Sequence, residues 1–260
     1  MSLVVLMNIG ILCGNHMPDL MKKPEKIKVE TPYGEVIVYA SKLGAHNLFF
    51  IHRHGEQSNL PPHRVNHRGN IQAFASSHVS CILSVGTVGS MKKEIRPGDL
   101  VIPHDFIDVT KSRSQTFFDE KRVHVDMTEP FCSTLREALL QSCDKTRDVT
   151  FHEKGVYLVT EGPRLETAAE IKMYSMVADI VGMTMVPEVV LAREKGVCFA
   201  SLCLVCNMAA GLQNRLTADE IASVYTKKEP VISKVLQLTI ESLDQKRSCH
   251  CPVDVSKATL

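Results

Sequence analysis

The sequence predicts a single-domain α/β fold, with a mostly parallel or mixed sheet covered by helices on both faces. Three observations carry that expectation. Short apolar runs bounded by Gly or Pro alternate with longer runs of helical spacing. The apolar runs stop in glycine-containing or charged turns, as strands do where a sheet opens onto a ligand. A chain of 260 residues with 44% hydrophobic content can bury one sizeable core. Thirty basic against 29 acidic residues leave a formal net charge of +1. No run of either sign marks a nucleic-acid or membrane surface, so a small-molecule partner is expected.

Taken in order, the apolar opening MSLVVLMNIGILC lacks a basic leader and is too short to span a bilayer. It reads as the first strand of a cytoplasmic protein. The turn that follows, Cys13-Gly14-Asn15-His16, can present backbone N–H groups to an anion. Ile27 to Glu30 and Glu35 to Tyr39 flank Thr31-Pro32-Tyr33-Gly34, a hairpin pattern. Leu48 to Ile51 is a strand that stops in His52-Arg53-His54-Gly55, where a guanidinium can fork onto phosphate oxygens. Pro61-Pro62 and a helix from about Val65 to Ser77 come next. Val79 to Ser90 is a buried run ending in Gly86-Thr87-Val88-Gly89, small enough for the backbone to approach a ligand. A strand Leu100 to Pro103 precedes a polar connection of more than twenty residues to Pro130. Connections that long are functional or interfacial in compact domains, which makes His124, Asp126 and Met127 candidates for a lid or a subunit contact. A helix over Cys132 to Cys143, strands over Gly155 to Thr160 and Asp179 to Met183, a helix Pro187 to Lys195, a strand Val197 to Asn207 and a long last helix complete the pattern.

Thr160 to Glu170, TEGPRLETAAE, places a Gly-Pro turn, Arg164 and Glu166 between a strand and a helix start. Alone it fits a ligand-binding junction and a capped helix equally. Nine cysteines are present; Cys13, Cys81, Cys198, Cys203 and Cys206 lie in apolar runs, where the thiol acts as a small buried hydrophobe. Cys249 and Cys251 form one Cys-His-Cys without a second pair at zinc-finger spacing, which argues against a structural zinc site.

Several of these strings together resemble the trimeric purine nucleoside phosphorylase family, and most closely its methylthioadenosine/methylthioinosine branch. They are TEGPRLETAAE, GMTMVPEVVLARE from Gly182, RHG at Arg53, PPHRVNHRGNI at Pro61 and VGTVGS at Val85. The resemblance runs from Ile9 to about Ser242, leaving the C-terminal tail from about 243 outside it. It implies one nucleoside phosphorylase domain over residues 1–260, with a central mixed, partly barrel-like sheet flanked by helices. The implied reaction is reversible phosphorolysis of a purine nucleoside in a homotrimer, with phosphate as co-substrate and neither cofactor nor metal.

The residues suit that chemistry, since an oxocarbenium-like transition state needs an anion cradle on one side and hydrogen-bonding groups for the departing base on the other. By resemblance, the cradle comprises Asn15, Arg53, His54, Gly86, Thr87 and Thr184. Leu165, Glu166, Asn207 and Ala209 face the base, with Glu166 and Asn207 acting in catalysis. Met183 lies under the ribose, Ala218 and Ile221 wall the 5' position, and His124 comes from a neighbouring subunit. Asn15 stands where relatives carry a Ser or Thr, and His16 where they carry a glycine; an amide N–H can still donate to phosphate. Adenosine-type relatives have aspartates in place of Asn207 and Ala209 and a small hydroxyl residue in place of Glu166. A 6-oxopurine base on a 5'-methylthio sugar is therefore expected. Methylthioadenosine phosphorolysis, a nucleosidase and a purine-binding protein without turnover are the alternatives. The same resemblance links Cys132, Cys198, Cys203 and the Cys249–Cys251 tail to the disulfide-bearing thermophilic archaeal members.

Overall fold

The computed structural model describes residues 6–14, 19–214, 217–244, 248–252 and 255–259. Eleven strands form one mixed sheet, and helices pack on its two faces. Strands β1 (Asn8–Cys13), β4 (His46–His52), β5 (Cys81–Ser90) and β11 (Cys198–Met208) are mutually parallel and form its centre. Strands β2 (Glu25–Thr31) and β3 (Gly34–Leu43) make the predicted hairpin and extend one edge antiparallel. On the other side β10 (Ile180–Gly182) and β9 (Val156–Val159) continue the sheet to β7 (Asp105–Asp108), while β6 (Leu100–Val101) and β8 (Phe151–His152) branch from β11.

Side-chain alternation along the central strands sorts the core into two layers. In β11, Cys198, Ala200, Leu202, Leu204 and Cys206 face helices α2 (Ser133–Asp144) and α5 (Ala218–Ser242). Phe199, Cys203 and Val205 face α1 (His67–Ser76) and α4 (Met185–Glu194). A strand buried on both faces needs no polar side, and β11 accordingly reads CFASLCLVCNM.

The predicted elements are present with boundaries moved by a few residues, and two short strands depart from expectation. The connection after Pro103 contains β7, whose polar sequence DFID carries no apolar run but pairs in parallel with β9. Two-residue β8 pairs, among the described residues, with β6 alone.

The site is positioned by how the sheet opens at β5. Its first half pairs with β1 as far as Cys13↔Val85, and its last residues pair antiparallel with β10 from Val181↔Gly89. Between them, Gly86 to Val88 keep β11 on one edge and have no strand on the other among the described residues. The carboxyl ends of β1 and β10 arrive at this gap from opposite directions.

Candidate active site

A cavity of about 410 Å³ fills the gap, lined by Gly86, Thr87 and Val88 together with the ends of β1, β4, β10 and β11. Its volume lies within the range of small-molecule sites. Of the residues singled out in the sequence, Arg53, His54, Gly86, Thr87, Leu165, Glu166, Met183, Thr184, Asn207, Ala209 and Ile221 all line it. Asn15 and His16 fall outside the described residues, as does the side chain of Ala218. His124 is not brought here by its own chain: it lines a separate cleft with the C-terminal tail, where its backbone N–H donates to the Ala258 carbonyl at 2.8 Å.

One end of the cavity is built on a buried ion pair. Arg53, 2% exposed, donates from Nε to Glu188 Oε1 at 2.6 Å and from Nη2 to Oε2 at 3.0 Å. Nη2 also reaches Ser84 Oγ at 2.7 Å, and Nη1 donates to the Val85 carbonyl at 2.9 Å. The fork that the sequence suggested for phosphate is thus occupied by Glu188, and the guanidinium's remaining offer to the cavity is its Nη1 edge beside Gly14. A Cβ on Gly14 would stand 3.6 Å from that Nη1 and 2.8 Å from the His54 ring. Burial is the largest influence on fully buried Glu188 and would raise its pKa, but the Arg53 charge, the Arg53 hydrogen bonds and His67 together hold the carboxyl below its ordinary value. His67 Nδ1 lies 3.4 Å from the same carboxylate, and burial holds its imidazole neutral below the usual histidine range. His54 is lowered likewise, by burial first and by the Arg53 charge second; its Nδ1 pairs with the Leu60 carbonyl at 2.7 Å.

The opposite end carries Glu166 and Asn207. Thr160 donates through Oγ1 to Glu166 Oε1 at 2.6 Å, fixing one oxygen of the carboxylate and leaving Oε2 for a ligand. Glu166 is itself held by helix α3 (Ala168–Tyr174), which starts in a capping box formed by Thr167 and Glu170, with Arg164 doubly bonded to Glu170 at 2.7 and 2.8 Å. The helix cap in TEGPRLETAAE is thus formed by Thr167 and Glu170, while Leu165 and Glu166 line the cavity. Asn207 sits just past a bulge in the β11–β5 ladder, between Val205 and Asn207. The bulge re-aims its side chain. Its Nδ2 donates to the Met208 carbonyl at 2.9 Å. Gly89 makes room for that amide, since a Cβ there would stand 3.0 Å from Nδ2.

The middle of the cavity is apolar on one side. Gly162, at φ +63°, lets the chain turn under Met183, and a Cβ on it would fall 2.6 Å from the Met183 sulfur. Arg113, from the long connection, clamps this wall by donating to the Val186 carbonyl at 2.7 Å and the Glu161 carbonyl at 2.9 Å. Sequence reasoning missed Glu188, His67 and Arg113. The signal available for Glu188 was a lone carboxylate in the apolar run MVPEVVLA.

A sequence model of the Phosphorylase superfamily matches residues 8–241. A probable S-methyl-5'-thioinosine phosphorylase of Methanopyrus kandleri is 46% identical over 248 residues, covering 94% of this chain and 95% of its own. A probable 6-oxopurine nucleoside phosphorylase of Dictyoglomus turgidum is 44% identical over 251 residues, 94% of this chain and 95% of its own. Among solved structures, a methylthioadenosine phosphorylase sourced from an Antarctic soil metagenomic library superposes with a TM-score of 0.91 at 31% identity, covering 98% of this chain and 92% of that one.

Proposed function

This chain belongs to the Phosphorylase superfamily, and we propose that it cleaves 6-oxopurine nucleosides with phosphate, S-methyl-5'-thioinosine foremost. One observation carries the proposal: a single cavity joins an anion-facing end, built on Arg53, His54 and Thr87, to a base-facing end in which Glu166 and Asn207 are held by neighbours. Phosphate seated at the first end attacks the anomeric carbon. The new C–O bond forms as the glycosidic C–N bond breaks, and the electron pair leaves with the base. Thr87, Thr184, the Arg53 Nη1 edge and the Gly86 backbone position the anion. Met183 supports the sugar.

The base follows from hydrogen-bond polarity. A 6-oxopurine carries a ring N–H beside its oxo oxygen, whereas adenine has a bare ring nitrogen beside an amino group. The Glu166 carboxylate offers acceptor oxygens, so it pairs with the oxopurine N–H and opposes adenine. The Asn207 amide donates to the oxo oxygen or the imidazole-ring nitrogen as negative charge develops. Sites built on such bonds discriminate by roughly 10⁴-fold. The names of the Methanopyrus and Dictyoglomus relatives agree with this reading. Methylthioadenosine is the second reading, favoured by the 0.91 superposition above and by the S-methyl-5'-thioadenosine phosphorylase of Thermofilum pendens, 39% identical over 258 residues. Ile221, an aliphatic group in the cavity wall, supports a methylthio group over a hydroxyl at the 5' position.

The proposal extends to a cytoplasmic purine-salvage enzyme that is a homotrimer, with His124 completing a neighbour's site. Its support is that His124 lies away from its own chain's cavity, and that Met173, Met176 and Val177 are 53%, 74% and 60% exposed in one short stretch. No helix among the described residues is long and apolar enough to cross a membrane. Base release assayed with and without phosphate is the test. Release that requires phosphate supports the phosphorylase; phosphate-independent release would make the protein a nucleosidase, and no release a purine binder.

A further inference from the structure

On the face of the sheet opposite α1 and α4, four cysteines from three parts of the chain converge. Cys132 is the N-cap residue of α2 and makes no side-chain capping bond. Cys198 opens β11, and Cys249 and Cys251 belong to the C-terminal tail. Their sulfurs all lie within 4.8 Å of one another, with Cys198 and Cys249 at 3.4 Å. Three of the four are buried and Cys249 is half-buried. None of the nine cysteines is disulfide-bonded, and Cys203 lies outside the group.

We propose that Cys132, Cys198, Cys249 and Cys251 form a tetrahedral thiolate site for a structural zinc ion that anchors the C-terminal tail to the core. At a Zn–S distance of about 2.3 Å, the edges of a regular tetrahedron measure roughly 3.8 Å, and the four sulfurs are already grouped at that scale. A disulfide instead needs one pair at about 2.05 Å. Four thiolates suit a soft divalent ion and leave no open position, which is the signature of a structural rather than a catalytic centre. The adjoining cleft is of mixed charge, lined by Arg193 and Lys257 as well as by Asp126 and Glu129. Binding replaces four thiol protons by one Zn²⁺ and releases them to solvent, so affinity falls with acidification.

The spacing rule missed this site because its second pair is split. Cys132 and Cys198 are far apart in sequence, and the Cys132 N–H donating to the Phe199 carbonyl at 2.8 Å is what ties them together. The anchor has a structural reach: the tail that carries Cys249 and Cys251 continues to Thr259, which bridges Val123. Zinc at the cysteines thereby fastens the segment that carries His124.

The test is elemental analysis of the full chain, purified without chelator and with its tag removed. One zinc per chain is expected, released by a mercurial thiol reagent. Replacement by cobalt(II) should give the intense thiolate charge-transfer and visible bands of a tetrahedral tetrathiolate. Cys249→Ser should lose the ion and lower Tm. A chain that takes up no zinc on dialysis against excess with all thiols reduced would overturn the proposal. So would an intact mass, before reduction, lower by two or four protons, which would identify disulfides.

Discussion

At the scale of single residues, the cavity depends on the buried charge pair of Arg53 and Glu188. Arg53 and Glu188 are 2% and 0% exposed, and each satisfies the other. Removing one partner of such a pair costs about 3–5 kcal/mol, because the remaining charge is left uncompensated. Glu188→Gln is therefore expected to lose about that much stability in urea unfolding and to raise the phosphate KM; a loss below about 1 kcal/mol would mean that the pair is not what holds Arg53. Acidity acts through the same cluster. His67 has a folded pKa below its ordinary 6.5, so below about that pH the unfolded chain binds more protons and folding stability falls. Glu188, held below 4.5, contributes stability that is present above that pH and lost as pH falls through its lowered value. Both act in one direction: Tm should be level between about pH 7 and 8 and drop by several degrees toward pH 5. His67→Gln should flatten the upper part of that fall, and a wild-type Tm independent of pH would contradict this account. Arg53 itself was legible as a cation at a strand end. Its partner was not, because a carboxylate in an apolar helix reveals its counter-charge only once β4 and α4 are packed.

At the scale of elements, the sheet makes the site by leaving β5 uncovered between its pairings with β1 and β10. The sequence indicated the place through glycines at the end of β5, but not the gap, which exists only because β10 runs antiparallel to β5. Strands β7 and β8 were invisible for a related reason, since short polar segments acquire strand geometry from a neighbour rather than from a pattern of their own. The Gly-Pro turn before α3 was legible and is exacting. Ala at position 162 would meet both a left-handed backbone, at about 1–2 kcal/mol, and the Met183 sulfur. Gly162→Ala should fold and lower kcat/KM for the nucleoside by on the order of ten- to a hundredfold, as a small misplacement of a substrate-supporting wall does. Unchanged kinetics would remove Met183 from the sugar site.

At the scale of the whole molecule, alternating strands and helices were enough to specify a mixed sheet with two buried faces, and the two core layers follow from the period-2 alternation of β11. What lay beyond the sequence was any contact between distant segments: the four-cysteine cluster, the Arg113 clamp and the position of His124. Because His124 lies outside its own chain's cavity, sedimentation should give a trimer, and His124→Ala should raise the nucleoside KM without changing the assembly. A fully active monomer would exclude the shared site. The central claim is that the polarity of Glu166 and Asn207 selects a 6-oxopurine, and it is tested most directly by measuring kcat/KM for S-methyl-5'-thioinosine and S-methyl-5'-thioadenosine side by side at saturating phosphate. The account predicts a preference for the thioinosine on the order of 10⁴-fold; equal constants, or a preference for the thioadenosine, would contradict it.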